Sequence, residues 1–220
     1  MSKQFDNELD TLRRKLLTMG AMAEKMVRDT TTMLVERNLA VFEPVKQAED
    51  GMDALQREID EDVVRLISVY TPVAADLRSL LMTTRITAEL ERIADKTMDI
   101  GFYAKTLFKE PSLKPLIDIP HMSDIGINML KKVLDAYTEK SAEKALEVIK
   151  MDNEVDDLND QLFRELMTYV QEDVKAVNRV LELVLIARAF ERIGDHSVNI
   201  AEDVVYMVRG KDIRHLKGDA

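Results

Sequence analysis

The stretch ERIADKTMDI runs from Glu91 to Ile100, and a hundred residues later the chain reads ERIGDHSVNI, from Glu191 to Ile200. Five letters are identical, and Met/Val and Asp/Asn are close in shape. A second pair of segments aligns at an offset of 103, where MDALQREI (52–59) lies over VDDLNDQL (155–162). Self-similarity at a fixed distance is the mark of internal duplication. The extra three residues fit in the loop between the paired segments.

Working outward from those segments, apolar residues recur at helical spacing almost everywhere. A first amphipathic helix is predicted from Phe5 to about Glu36, with Leu9, Leu12, Leu16, Met19, Met22, Met26 and Met33 on one face. Its methionines suit a core or a partner-facing surface. A second helix is predicted from near Asn38 to Val69, with Pro44 as a possible kink. Thr71-Pro72 reads as the start of a third, with Thr as cap and Pro in the first helical position, reaching about Phe108. The segment KEPSLKPLIDIPHM (109–122) holds Pro111, Pro115 and Pro120, three of the five prolines, and reads as a linker. Beyond it, helices are predicted from about Met122 to Thr138, from a Ser141 cap to about Val170, and from about Val174 to Val208 with Gly210 as the stop. The predicted fold is all-α, with two tandem three-helix bundles related by duplication. The units are residues 1–115 and 116–220, each with its own core.

Composition narrows the function. The formal charge of −10 argues against a general nucleic-acid binder, which needs a positive surface. There is no cysteine, which excludes disulfides and thiolate metal sites and suits a reducing cytoplasm. The polar start MSKQFDNELD does not read as a signal peptide, and no run of about 18 apolar residues is present to span a membrane. No GxxxxGK[ST] or GxGxxG loop offers a nucleotide cradle. Three scattered histidines, His121, His196 and His215, make no catalytic triad. His196 follows Asp195 where Lys96 follows Asp95, and it reads best as a surface or interface residue.

The charged letters of the repeat form pairs. Residues i and i+4 share a helix face, so Glu91 and Asp95 point together, as do Glu191 and Asp195. Glu49 with Asp53, and Asp152 with Asp156, repeat the spacing one helix earlier in each copy. Asp99 extends the first series by a turn, and Asn199 takes its place in the second. With 41 acids, about seven such pairs arise by chance, so the matched location carries the information. Convergence of two helices gathers four hard oxygen donors, which suit Mg²⁺, Ca²⁺, Mn²⁺ or iron. The competing reading is a solvated acidic face, partly neutralised by Arg92 and Arg192. A carboxylate-bridged metalloenzyme is disfavoured, because no Glu-x-x-His accompanies the acidic motifs. A structural helical adaptor stays open.

Taken together, PVAADLRSLLMTTRITAELERIADKTMDI (72–100) and ARAFERIGDHSVNIAE (187–202) resemble the PhoU family of bacterial regulators of phosphate uptake and phosphate signalling. The likeness extends to LDTLRRKLLTMGAMAEKMV (9–27) and GKDIRHLKGD (210–219). The resemblance implies two similar three-helix bundles. It implies a non-enzymatic negative regulator acting on the phosphate ABC transporter through its ATPase subunit and on the phosphate sensor histidine kinase. Such a protein is cytoplasmic, often homodimeric, and meets the membrane only peripherally through its partners. Some members carry iron or zinc on acidic motifs. Carried over, those motifs fall on Glu49, Asp53, Glu91 and Asp95, and on Asp152, Asp156, Glu191 and Asp195, with Asp99 as an optional extra. No basic, Gly-rich anion nest is visible, so the sequence offers no site for direct phosphate sensing.

Overall fold

The computed structural model describes residues 3–214, and His215 lies outside them. Six α-helices and two short 3₁₀ turns make up the regular structure of the described residues. They are α1 (Lys3–Glu36), α2 (Phe42–Tyr70), α3 (Ala74–Leu107), α4 (Asp118–Glu139), α5 (Ala142–Glu172) and α6 (Val177–Arg209). The 3₁₀ turns, Leu39–Val41 and Val174–Ala176, precede α2 and α6. The all-α architecture of two tandem three-helix bundles is as the periodicity predicts.

Several boundaries move, each for a local reason. The helix predicted from Asn38 begins at Phe42, because Asn38 instead caps the 3₁₀ turn by accepting from the Ala40 N–H at 3.1 Å. Pro44 then falls in the first turn of α2, where its missing N–H has no partner to lose, and it need not kink the helix. Pro120 occupies the same kind of place in α4, so that helix starts at Asp118, before the predicted Met122. Thr71 is not the cap of α3. It closes α2 in the left-handed region at φ 43°, donating its N–H to the Ile67 carbonyl at 3.0 Å. Pro72 disfavours helical geometry for the residue before it, so the chain breaks there and α3 restarts at Ala74. Ser141 does cap α5, accepting from the Lys144 N–H at 3.3 Å, and Gly210 ends α6 at φ 65°.

The two bundles pack through α1 against α4 and α3 against α6, with α2 and α5 on opposite flanks and out of contact. Both seams are antiparallel. Across the first, Thr31 bonds Ser123 at 2.6 Å, and Glu24 pairs with Lys131 at 3.2 Å. Gly20 lies so near Leu134 that an added Cβ would come within 2.3 Å of it. Across the second, Ser79 meets Met207, Arg85 meets Asp203 and Glu89 meets Asn199, so one helix number rises as the other falls. The buried apolar residues accordingly form one continuous cluster through both halves, which corrects the expectation of two separate cores. Met19, Met26 and Met33 are fully buried within it, so the methionine stripe of α1 is core.

Candidate functional site

The helix pairing brings the predicted acidic positions together in two places. On one flank, Glu49 of α2 feels Asp53 and Asp95, and Glu91 of α3 feels Asp95, Asp53 and Glu49. On the other, Asp152 of α5 feels Asp156, Asp195 and Glu191. Burial is the leading cause that raises the Glu49, Glu91, Asp95, Asp156 and Glu191 carboxyls, and neighbouring carboxylates add to it. Asp152 is the extreme case, pushed up to about 7 by burial first and by Asp156, Asp195 and Glu191 next.

The second cluster holds its acids more tightly for a visible reason. A Cβ on Gly194 would stand 2.9 Å from Asp152 Oδ1, so the carboxylate rests against bare α6 backbone. The first copy has Ala94 at the matched position. Asp152 Oδ1 and Glu191 Oε2 are both buried without a hydrogen-bond partner. Arg192 Nε does lie 3.5 Å from a Glu191 oxygen, which is ion-pair range without hydrogen-bond geometry. Orphaned carboxylate oxygens beside further carboxylates are a donor set suited to a hard cation. Among the described residues, no three such side chains are drawn close enough to ligate one ion as they stand.

The arginines behave differently in the two copies. Arg192 neutralises its cluster, reaching Asp195 at 2.6 Å. Arg92 turns away from Glu91 and bonds Glu89. Asp99 pairs with Lys96 at 2.6 Å.

Sequence reasoning missed Glu89, Arg85 and Asp203. Glu89 is 8% exposed at the α3–α6 seam. Its carboxylate accepts from Asn199 at 2.9 Å and meets His196 Nδ1 at 2.8 Å. Burial pushes the Glu89 carboxyl up, but the hydrogen bonds from His196 and Asn199 outweigh it and hold the group below its ordinary value. His196 is therefore an interface residue, and Asn199 differs from Asp99 because it donates to Glu89. One turn on, Asp203 is 2% exposed, with Arg85 3.0 Å away. That contact lacks hydrogen-bond geometry, and burial raises Asp203 to about 6 against the pull of Arg85 and Arg214. The available signal was the letter at offset 100: Glu89 stands over Ala189, an acid on a face otherwise made of Ile86, Leu90 and Ile93.

Tandem antiparallel bundles with an acidic cluster on each flank define a class of helical, carboxylate-bearing repeat proteins. The family model described as PhoU domain matches residues 16–104 and again 119–204. A "Phosphate-specific transport system accessory protein PhoU homolog" of Pseudomonas putida is 37% identical over 217 residues, covering 98% of this chain and 85% of its own. The Escherichia coli K12 protein named "Phosphate-specific transport system accessory protein PhoU" is 34% identical, covering 100% and 91%. The crystal structure of PhoU from Pseudomonas aeruginosa superposes with a TM-score of 0.89 at 35% identity, over 94% of this chain and 100% of that one. The chain belongs to the PhoU family.

Proposed function

We propose that this chain is a non-enzymatic negative regulator of phosphate uptake and of the phosphate-starvation response. The observation that carries the reading is likeness over nearly the whole chain to proteins named as phosphate-specific transport system accessory proteins. It acts by binding. Its partners are the ATPase subunit of the phosphate ABC transporter and the phosphate sensor histidine kinase, met at the cytoplasmic face of the membrane. No helix among the described residues is long and apolar enough to cross a membrane. Regulation of this kind requires preference for one state of the partner over another. Long antiparallel helices on one shared core supply a stiff surface for that discrimination, and a homodimer would double it.

The two acidic clusters are the proposed metal sites, Glu49, Asp53, Glu91 and Asp95 on one flank and Asp152, Asp156, Glu191 and Asp195 on the other. Support comes from the orphaned oxygens of Asp152 and Glu191. A bound iron, zinc, magnesium or manganese ion would supply positive charge and fix the spacing of the two helices that hold it. Asp99 is a weaker candidate, because Lys96 already takes its carboxylate.

A phosphate-responsive reporter in the source bacterium, grown in high phosphate, tests the regulator reading. Deletion of the gene is expected to derepress the reporter, and the wild-type chain to restore silence. A reporter still silent after deletion, with no second family member present, would sink the reading. Charge reversal by Glu91→Lys with Asp95→Lys should lower metal content or partner capture while leaving the helical circular-dichroism signal intact. Unchanged metal content and unchanged repression would remove the role of that cluster.

A further inference from the structure

The segment that follows α6 is the second copy of the linker that follows α3. KEPSLK (109–114) lies over RGKDIR (209–214) at the offset of the repeat itself, with Leu113 matched to Ile213 and Lys114 to Arg214. In both copies the apolar residue packs against the core. The cations behave differently. Lys114 is a shut clasp. Its side chain is 9% exposed and bridges Asp118 of α4 at 3.0 Å and Glu165 of α5 at 2.5 Å, which ties the linker to the second bundle. The Arg214 side chain is 32% exposed and is held by Asp212, two residues before it, through Nε at 2.8 Å and through Nη2. That bond stays within the segment and ties it to neither bundle.

The backbone turns this segment back over the α3–α6 seam. Gly210 takes the left-handed region at φ 65°, and a Cβ there would lie 3.5 Å from Arg78 Cζ of α3. From Gly210 back to Asp203 is about 10 Å of helix, which the few extended residues up to Arg214 can span. Arg214 therefore comes near the end of α6: the Asp212 bond raises its guanidinium, and the charges of Asp203 and Glu202 add to it. It feels Asp203 without pairing with it. Asp203 is buried, and its Oδ1 has no hydrogen-bond partner, because Arg85 at 3.0 Å lacks the geometry. The charged groups facing Asp203 are Arg85 and Glu89 from α3, Glu202 from α6 itself and Arg214 from the returning segment.

We infer that the segment after α6 is a strap that closes on the α3–α6 seam when Arg214 leaves Asp212 for the buried carboxylate of Asp203. The exchange is favourable because the two pairs differ in burial. Asp212 is exposed, so water takes over its solvation and little is lost with that pair. Asp203 has a buried oxygen without a donor, and a charge-assisted bond there removes an unmet need. Closing makes the second copy match the first, with a chain segment clasped at each end of the molecule by a cation at the same register. The strap is proton-sensitive. Burial raises the Asp203 carboxyl to about 6 against the pull of Arg85 and Arg214. Pairing with Arg214 lowers it, so the closed state binds fewer protons; closing is favoured as pH rises and is lost as pH falls through that region. The inference does not rest on the regulatory reading, since it concerns the isolated chain and either can fail alone.

Electron paramagnetic resonance of a nitroxide on the strap tests it. The chain has no cysteine, so Lys211→Cys gives the full-length protein a single labelling site at an exposed position. Spectra are taken at pH 5.5 and pH 8, at fixed ionic strength and with a chelator present. The label should be slow at pH 8, and its rotational correlation time should shorten about threefold or more at pH 5.5, toward that of a free terminus. Asp203→Asn, which is neutral at both pH values, should leave the label fast throughout, and Arg214→Gln should do the same. Asp212→Asn, which loosens the present hold on Arg214, should slow the label further at pH 8. Circular dichroism checks that each variant keeps its helices, and Arg214→Gln, which lies outside them, keeps the test sound if Asp203→Asn fails to fold. A label equally mobile at the two pH values would overturn the strap, as would a pH response that survives Arg214→Gln or Asp203→Asn. A faster label in Asp212→Asn would overturn the exchange of partners.

Discussion

Around Glu89 the α3–α6 seam holds a buried carboxylate among imidazole, amide and guanidinium groups. A hundred residues on, around Ala189, the same seam is an open cleft edged by Lys96, Arg188 and Arg192. The helices, their crossing and their antiparallel register are shared. What differs is a few letters: Glu for Ala, His for Lys, Asn for Asp, Arg for Leu. Duplication supplies two equivalent niches, and the substitutions give one to internal cohesion while the other stays open to solvent. The acidic clusters show a milder version of the same divergence. Both gather four carboxylates, but Gly194 lets Asp152 sit against backbone, and its carboxyl alone rises to about 7.

The sharpest way to break the seam comparison is Glu89→Ala. It removes the buried carboxylate that half-buried His196 and exposed Asn199 both meet across the seam, and should cost about 1–2 kcal/mol in urea unfolding. The exposed Arg188→Ala on the other side should stay within about 0.5 kcal/mol. Equal costs on the two sides would mean that the Glu89 network does not hold the bundles together.

The acidic clusters are compared by removing one charge from each. In the folded chain the Asp152 carboxyl sits at about 7, against an ordinary 3.8. The folded state therefore holds an extra proton between those values, and stability falls as pH rises from about 4 to about 7, then levels off. Asp152→Asn removes that penalty. With solvent screening discounted, the metal-free variant should gain about 1–2 kcal/mol at pH 8 and nothing near pH 4. Glu49→Gln should gain less, because no comparable contact with bare backbone holds its carboxylate. Denaturant titrations at several pH values in chelator read both. A gain for Asp152→Asn that grew toward low pH would refute the assignment.

The smallest effect concerns helix starts. Ser141→Ala should cost about 1 kcal/mol by removing the α5 cap. The matched helix of the first copy, α2, has Val41 in the cap position with no side-chain bond. Val41→Ala removes no cap bond, so its cost in thermal melts should be only the partial packing of that side chain on the core, about 0.5 kcal/mol.

Much of this molecule was legible in its sequence because the signals were local. Helical periodicity gave the long helices, and the repeat gave the two-bundle plan. Spacing of four residues placed Glu91 with Asp95 and Glu191 with Asp195 on common faces. Thr71-Pro72 misled because the same two letters also describe a helix ending before proline, and only the backbone tells a C-terminal residue in the left-handed region from an N-terminal cap. Pro120 misled because proline in a first turn and proline in a linker look alike in a string of letters.

By itself, then, the sequence determined the helices, the duplication, the acidic pairs and the family resemblance, all of which are written within one helix or one repeat. Only the tertiary structure decided that the two halves share a core, that Glu89 is bonded across the seam, and that Asp152 lies against bare backbone. It also decided that Lys96 and Arg188, ninety-two positions apart, edge one cleft. The physical reason is register. A helix's own periodicity says which face is buried but not which residue of a distant helix lies opposite, and that pairing is fixed only when the apolar faces of α3 and α6 pack together.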